Sequence, residues 1–158
     1  MFQVGDKIVH PMHGAGVIES IVTKKVSGTV RDYYTLKLPV RSMLVMIPVE
    51  NCSEIGVRPV VEQETAVQVM QSIAVVQVPP VQNWNRRYRE NMDRLKSGDL
   101  FEVAKVVKGL ILRERQHGLS NGERKMLHSA KEILISELVL TTGSSFEEIE
   151  AHINTALA

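Results

Sequence analysis

The feature that most constrains the fold of this 158-residue chain is a change in the period of its apolar residues near Gly56. Before Gly56, apolar and polar residues alternate, which is typical of half-buried β-strands. After Gly56, apolar residues recur at intervals of three and four, which is typical of amphipathic helices. The sequence therefore predicts an α+β protein with a β module at residues 1–55 and a compact all-helical module at residues 56–158.

The β module is predicted to be a small, strongly bent sheet or barrel. In DYYTLKL, every second residue from Tyr34 to Leu38 falls on one face of a strand. The segment SMLVMIPV, residues 42–49, contains a short continuous apolar run that ends at Pro48, so we expect a strand with both faces at least partly covered. Strands are predicted near residues 4–10, 16–25, 30–38 and 43–48, with turns at Gly14–Gly16, Ser27–Gly28 and Arg41–Ser42.

The helical module carries clear start and stop signals. Residues 60–76 predict a helix that ends before Pro79–Pro80. An apolar stripe at helical spacing follows at Leu100, Val103, Ala104, Val107, Leu110 and Ile111. Two capping boxes are predicted at Ser120 with Glu123 and at Ser145 with Glu148. Helix stops are predicted at Gly98, Gly118 and Gly143.

Several classes of protein are disfavoured by the sequence. A single cysteine, Cys52, allows no internal disulfide, and no apolar run approaches the roughly 20 residues that span a bilayer. The first residues are too polar for a signal peptide, so we expect a soluble cytoplasmic protein with no membrane partner. We expect no enzymatic activity and no cofactor, because no phosphate loop or catalytic constellation is present. His10 and His13 lack the further ligands that zinc requires, which predicts turn histidines without a metal.

The chain is nearly neutral, but it has one basic segment. Residues 84–96 carry five arginines and lysines against Glu90 and Asp93, a local charge of +3. The segment begins with Trp84, the only tryptophan. On a helical wheel Tyr88, Met92 and Leu95 fall within about 80° of Trp84, which predicts a buried stripe with the basic residues on the other arc.

Two readings of this segment stay open at this point. In the first, the aromatic residues belong to the core and the arginines are simply solvated. In the second, Trp84 leaves the core, because it directly follows Asn83 as N-cap and helical side chains tilt toward the N-terminus. Arg86, Arg87 and Arg89 lie in the first turn and a half, where the helix dipole favours acidic residues. This arrangement favours an anionic partner such as nucleic acid.

Four long stretches of the chain carry a resemblance to a known family. They are VGDKIVHPMHGAGVIE, IPVENCSEIGVRPV, NWNRRYRENMDRLKSGD and GLSNGERKMLHSAKEIL. In these stretches the chain resembles the CarD family of bacterial transcription regulators, and the resemblance covers essentially its whole length. The resemblance implies a Tudor-like β module that binds the RNA polymerase β subunit, as in transcription-repair coupling factors. It also implies a helical module that contacts promoter DNA at the upstream edge of the bubble and alters the stability of the open complex.

The resemblance also implies roles for particular residues. The family's wedge tryptophan, which enters the DNA minor groove, falls on Trp84. Its polymerase-facing basic position falls on Lys24, and a second such position, an arginine in related proteins, falls on Met46. This departure implies more backbone pairing along the strand Met43, Leu44, Val45, Met46 and Ile47. The family's phosphate-contacting positions fall on Arg86, Arg87, Arg89 and Arg124.

Two other functions remain possible from the sequence. The protein could be a free-standing repressor that reads a DNA operator, or an adaptor whose arginines contact acidic groups of another protein. We expect a monomer in each case.

Overall fold

The computed structural model describes residues 1–39, 42–80 and 83–158, and it confirms the predicted α+β fold class. In these ranges an antiparallel sheet of five strands comes first and is followed mainly by helices. The strands are β1 Lys7–His10, β2 Gly14–Val26, β3 Thr29–Leu38, β4 Met43–Pro48 and β5 Arg58–Pro59. The helices are α1 Cys52–Ile55, α2 Gln63–Val75, α3 Trp84–Lys96, α4 Leu100–His117, α5 Asn121–Thr142 and α6 Phe146–Ala156.

The sheet has the strand order β4-β3-β2-β1-β5. The turn between β2 and β3 is Ser27–Gly28, and both residues have positive φ, as a two-residue hairpin requires. A register shift between Ile18 and Ser20 interrupts the β2–β3 ladder, and such a bulge bends the sheet. The predicted turn at Arg41–Ser42 begins on a residue outside the described ranges. The core beneath the sheet is formed by strand residues together with Cys52 of α1 and Val57; the strand residues are Ile8, Ile18, Tyr34, Leu36, Leu38 and Ile47.

The prediction that β4 is covered on both faces is wrong. Among the described residues, β4 pairs only with β3, so it is an edge strand. Ile47 is buried, but Leu44 is 56% exposed and Met46 39% exposed. A continuous apolar run is typical of central strands, but it does not reveal where a strand lies in the sheet.

The helices follow the predicted pattern closely. The predicted apolar stripe of α4 is buried except for Ile111, which is partly buried and packs against the helical core. Helix α4 contacts α2 and α5. Gly143 ends α5 in the left-handed conformation, as predicted. Gly118 caps α4, and Gly98 directly follows the cap of α3. The start of α6 forms the complete capping box predicted for Ser145 and Glu148.

The two modules pack against each other through α5. The backbone N–H of Ala15 donates a hydrogen bond of 2.8 Å to Ser136 Oγ on α5. A Cβ atom at Gly14 would lie 2.6 Å from that same oxygen, so only glycine allows this approach. Arg58 of β5 forms two hydrogen bonds, of 2.8 and 2.9 Å, with the fully buried carboxylate of Glu137. Thus the sheet continues beyond residue 55 and is joined to the helices by buried polar contacts.

Candidate nucleic-acid and protein interfaces

Helix α3 begins as the sequence predicts. Asn83 is the N-cap, and its side-chain oxygen accepts a hydrogen bond of 3.0 Å from the backbone N–H of Arg86. Trp84 is therefore the first residue of the helix, and the first turn contains no acidic residue. The positive end of the helix dipole and the basic side chains act in the same direction, which favours an anion at this helix start.

The indole of Trp84 lies outside the core, as its position at the start of the helix predicts. Trp84 is 43% exposed. Its ring stacks on Tyr88 with 5.1 Å between the centroids and 20° between the planes. Its Nε1–H donates a hydrogen bond of 3.1 Å to Ser120 Oγ, at the start of α5. Tyr88 and Met92 pack against the helical core and Leu95 is buried, so the predicted stripe is confirmed for these three residues.

The three arginines of α3 have different environments. Arg86 is exposed and its Nε forms an ion pair of 3.0 Å with Glu90, one turn further on. Arg89 is exposed, and it has no ion-pair partner in the part of the chain that the structure describes. Arg87 is only 8% exposed and forms hydrogen bonds of 2.8 and 3.2 Å with both oxygens of Glu123 on α5. The expectation that all three arginines lie on the solvent-facing arc is therefore wrong for Arg87.

Glu123 connects three helices around this site. Burial alone would raise the pKa of its carboxyl group, but the hydrogen bond and charge of Arg87, together with the charge of Arg113, hold this pKa below its usual value. Arg113 Nε lies 3.9 Å from Glu123 Oε2. The carboxylate also lies 3.4 Å from the hydroxyl of Ser120. A single buried carboxylate thus joins α3, α4 and the first turn of α5.

The predicted capping box of α5 is only half formed. The hydroxyl of Ser120 accepts a hydrogen bond of 3.2 Å from the backbone N–H of Glu123, as a capping box requires. The carboxylate of Glu123 binds Arg87 instead of returning to the backbone of Ser120. Sequence analysis did not identify Ser120 or Glu123 as part of the site, because both fitted a purely local role.

The first turn of α5 lies beside Trp84. A Cβ atom built on Gly122 would lie 3.7 Å from Cζ2 of the indole. Arg124 follows two residues later, is exposed, and has no ion-pair partner among the described residues. The structure thus leaves Trp84, Arg86, Arg89 and Arg124 on the surface near the starts of α3 and α5. We call this set the α3 surface.

A second candidate interface is the outer face of the sheet. Lys24 of β2 pairs with Arg31 of β3. Thr35 and Lys37 lie on the same face of β3 as Arg31, and they pair with Met46 and Leu44 of β4. Directly paired residues point to the same side of a sheet, so these side chains share one face. Lys37 lies opposite Leu44 and adds another exposed cation. We call this set, Lys24, Arg31, Lys37, Leu44 and Met46, the outer face.

The structure divides the predicted polymerase-contacting strand between two faces. Leu44 and Met46 belong to the outer face, whereas Val45 and Ile47 point toward the core of the sheet. Met43 is 40% exposed at the start of the strand. Val49 N–H donates to the Asp32 carbonyl, and hydrogen-bonded pairs alternate in an antiparallel ladder, so the backbone groups of Val45 and Ile47 point toward β3. The unpaired side of β4 therefore carries the backbone groups of Leu44 and Met46.

His10, at the end of β1, lies beside His13. The rings of His10 and His13 lie 4.6 Å apart. Burial of His10, followed by the charge of His13, lowers the pKa of His10 to about 4. Across the described ranges there is no cluster of three metal-binding side chains. In the same ranges, the helices are all too short or too polar to cross a membrane.

Comparison with known proteins identifies the family. The model of the CarD-like/TRCF RID domain matches residues 2–61, and the model of the CarD C-terminal domain matches residues 68–154. A protein of Bacillus subtilis (strain 168) named "Putative transcription factor YdeB" is 36% identical over 151 residues, which cover 96% of this chain and 99% of that protein. The chain belongs to the CarD family. The resemblance inferred from the sequence is therefore confirmed, together with a Tudor-like β module and the assignment to a family of transcription factors.

Proposed function

We propose that this CarD-family protein regulates transcription by binding RNA polymerase and promoter DNA at the same time. Its outer face and the edge of β4 dock on the polymerase β subunit, and its α3 surface contacts DNA at the upstream edge of the bubble. The observation that carries the proposal is the half-exposed Trp84 at the N-terminal edge of a basic helix. The role is one of binding and involves no catalytic step.

The α3 surface has the chemistry to hold distorted DNA. Arg86, Arg89 and Arg124 present exposed guanidinium groups, which bind phosphate oxygens in a fork geometry. An apolar ring beside such groups can wedge at a base step or stack on an unpaired base. Because phosphate contacts carry no sequence information, we expect little preference for promoter sequence.

The β module has the chemistry to dock on a protein. The free side of β4 presents unpaired backbone groups, which a strand of a partner can pair with by β-augmentation. Leu44 supplies apolar contact next to this edge, and Lys24 supplies a positive charge on the same face. Met46, in place of a basic residue, makes the contact less electrostatic, so more of the docking is expected to come from backbone pairing along β4.

Docking on polymerase makes a weak DNA contact effective. A tethered group acts at a high effective concentration, so the α3 surface does not need high intrinsic affinity for DNA. Its effect on the open complex depends only on how much better it binds the open than the closed state. A difference of about 1.4 kcal/mol corresponds to about tenfold in this equilibrium.

Open-complex decay tests the role of Trp84. Complexes of polymerase with the full-length protein are challenged with a competitor, and their lifetime is measured. Trp84→Ala is expected to shorten the lifetime, whereas Trp84→Phe, which keeps an aromatic ring, is expected to shorten it less. Equal lifetimes for the wild type and Trp84→Ala would remove the ring from the proposed mechanism.

The salt dependence of duplex binding tests the arginines. Arg86→Ala and Arg89→Ala should each reduce the salt slope by about one, as the loss of one phosphate contact requires. The double variant Arg87→Met with Glu123→Leu removes both charges of the buried pair, and only the partly exposed Arg113 loses a carboxylate, 3.9 Å away. We expect this double variant to keep the wild-type slope. A reduced slope would instead support the phosphate contact that the family resemblance implies for Arg87.

Binding of the full-length protein to the polymerase β subunit tests the outer face. Lys24→Glu should weaken binding, whereas Lys25→Glu should not, because adjacent residues of a strand point to opposite faces. Met46→Arg should leave binding intact or strengthen it. Equal losses in Lys24→Glu and Lys25→Glu would point to a general charge effect rather than to this face.

Promoter binding with and without polymerase separates the alternatives. A free-standing repressor would bind its operator equally well without polymerase. An adaptor would bind polymerase and leave DNA binding unchanged. We expect DNA binding that is weak alone and becomes strong in the presence of polymerase.

A further inference from the structure

The indole of Trp84 uses its only hydrogen-bond donor within the protein. Nε1–H donates to Ser120 Oγ at 3.1 Å, and an indole has no other polar group. The same hydroxyl accepts the backbone N–H of Glu123, which fixes its position at the N-cap of α5. The part of the ring that remains exposed therefore presents only carbon atoms to a partner.

Two helices hold this ring from three directions. Tyr88 stacks on one face of the indole, and Ser120 holds its nitrogen. The backbone at Gly122 lies close enough that an added Cβ would be in van der Waals contact with Cζ2. A tryptophan without such contacts exchanges between staggered rotamers at a protein surface. The contacts of Trp84 with Tyr88, Ser120 and Gly122 keep its ring in one rotamer.

We propose that Ser120 is a positioning residue that holds Trp84 in the orientation that contacts DNA, and that it makes this contact apolar by occupying the indole N–H. This inference rests on the proposed function of Trp84. A ring that is already oriented loses less conformational freedom on binding, which raises its apparent affinity. A ring without a free donor inserts or stacks without selecting a base through a hydrogen bond.

A set of matched variants separates this role from helix capping. Ser120→Gly removes the hydroxyl, yet glycine is a tolerated N-cap that costs the helix only a few tenths of a kcal/mol. Ser120→Thr keeps both the hydroxyl and the cap. Ser145→Gly makes the same change at the N-cap of α6, where the serine is part of a local capping box.

Fluorescence anisotropy decay of the free protein measures the mobility of the ring directly, because Trp84 is the only tryptophan. We expect Ser120→Gly to increase the amplitude of fast motion, Ser120→Thr to restore the wild-type decay, and Ser145→Gly to leave it unchanged. An unchanged decay in Ser120→Gly would overturn the proposal. This readout needs neither DNA nor polymerase.

A double-mutant cycle on open-complex lifetime tests the consequence for DNA. Ser120→Gly should shorten the lifetime by about two- to threefold, since an untethered ring spends only a fraction of its time in the productive rotamer. In the Trp84→Phe background, where no indole N–H exists, Ser120→Gly should have no further effect. Equal shortening in both backgrounds would show that Ser120 acts only through α5, and would overturn its positioning role.

The two proposals fail in different ways. If Trp84→Ala leaves the lifetime unchanged, the proposed function of the ring is wrong, whatever the anisotropy shows. If Trp84→Ala shortens the lifetime but Ser120→Gly does not, the ring contacts DNA and only the positioning role of Ser120 is wrong.

Discussion

Helices α5 and α6 begin with the same sequence signature, a serine followed three residues later by a glutamate, yet their first turns differ. In α6, Ser145 Oγ accepts from the Glu148 N–H at 3.1 Å, and the Glu148 carboxylate accepts from the Ser145 N–H at 3.2 Å. In α5 only the first of these two bonds forms. The Glu123 carboxylate binds Arg87 of α3, and the serine hydroxyl also holds the indole of Trp84.

The difference shows that the same serine–glutamate signature can either cap one helix or connect several helices. The polar groups at the start of α6 satisfy one another, and this cap stabilises that helix alone. The polar groups at the start of α5 are shared with α3 and α4, so they fix the relative position of three helices behind the α3 surface. We expect substitutions at the two starts to have very different consequences.

The largest difference is expected between Glu123→Ala and Glu148→Ala. Glu123 is 2% exposed, and its removal leaves the buried Arg87 without its carboxylate. Breaking a buried pair in this way costs about 3–5 kcal/mol. Glu148 contributes to an exposed cap, so its loss should cost about 0.5–1 kcal/mol. Urea unfolding measures both values, and similar losses at the two positions would remove the distinction drawn between α5 and α6.

The pH dependence of stability should also depend on Glu123. Its pKa is lowered in the folded protein, so the unfolded state binds a proton more readily as the pH falls. The stabilisation from this carboxylate is fully present above the unfolded pKa of about 4.5, and it is lost as the pH falls through the lower folded value. Urea unfolding between pH 7 and pH 3 should therefore show a shallower acid loss for Glu123→Gln than for the wild type. Parallel curves would mean that the carboxylate gains nothing from Arg87.

An intermediate effect is expected for the aromatic residues at the first positions of α3 and α6. Phe146 packs against the helical core, so Phe146→Ala should cost about 2 kcal/mol. Trp84 is more exposed, and Trp84→Ala should cost about 1 kcal/mol from the lost stack and hydrogen bond. That corresponds to a melting temperature lower by about 2–4 °C. A drop beyond about 10 °C would place Trp84 in the core.

Sequence reasoning succeeded where the deciding interactions are local. The exposure of Trp84 follows from its position after the N-cap Asn83, which needs only neighbouring residues. The buried face of β3 follows from simple alternation around Leu36. The complete capping box at Ser145 needs only one turn of helix.

It failed where a distant partner decides. Arg87 lies about 60° from Trp84 on the helical wheel, near the buried stripe, but its partner Glu123 is 36 residues away. The exposure of Leu44 and Met46 depends on which face of the sheet packs against the core, which the pattern of one strand cannot give. Strand β5 is two residues long and pairs with β1 about fifty residues earlier, so it has no local period to detect.

The smallest expected effect concerns Gly122, in the first turn of α5. An added methyl group would lie 3.7 Å from both Trp84 Cζ2 and Tyr88 Cε2, which is ordinary van der Waals contact. Since alanine is the better helix former, Gly122→Ala should stabilise the protein by about 0.5 kcal/mol and raise the melting temperature by about 1–2 °C. The corresponding position of α6 is Glu147, where Glu147→Ala removes a negative charge from a helix start and should destabilise by a few tenths of a kcal/mol. Thermal melting should thus show effects of opposite sign at the two helix starts, and the new methyl group should also reduce the mobility of the indole. A lower melting temperature in Gly122→Ala would mean that the ring needs this space and that its packing against α5 is tighter than these distances indicate.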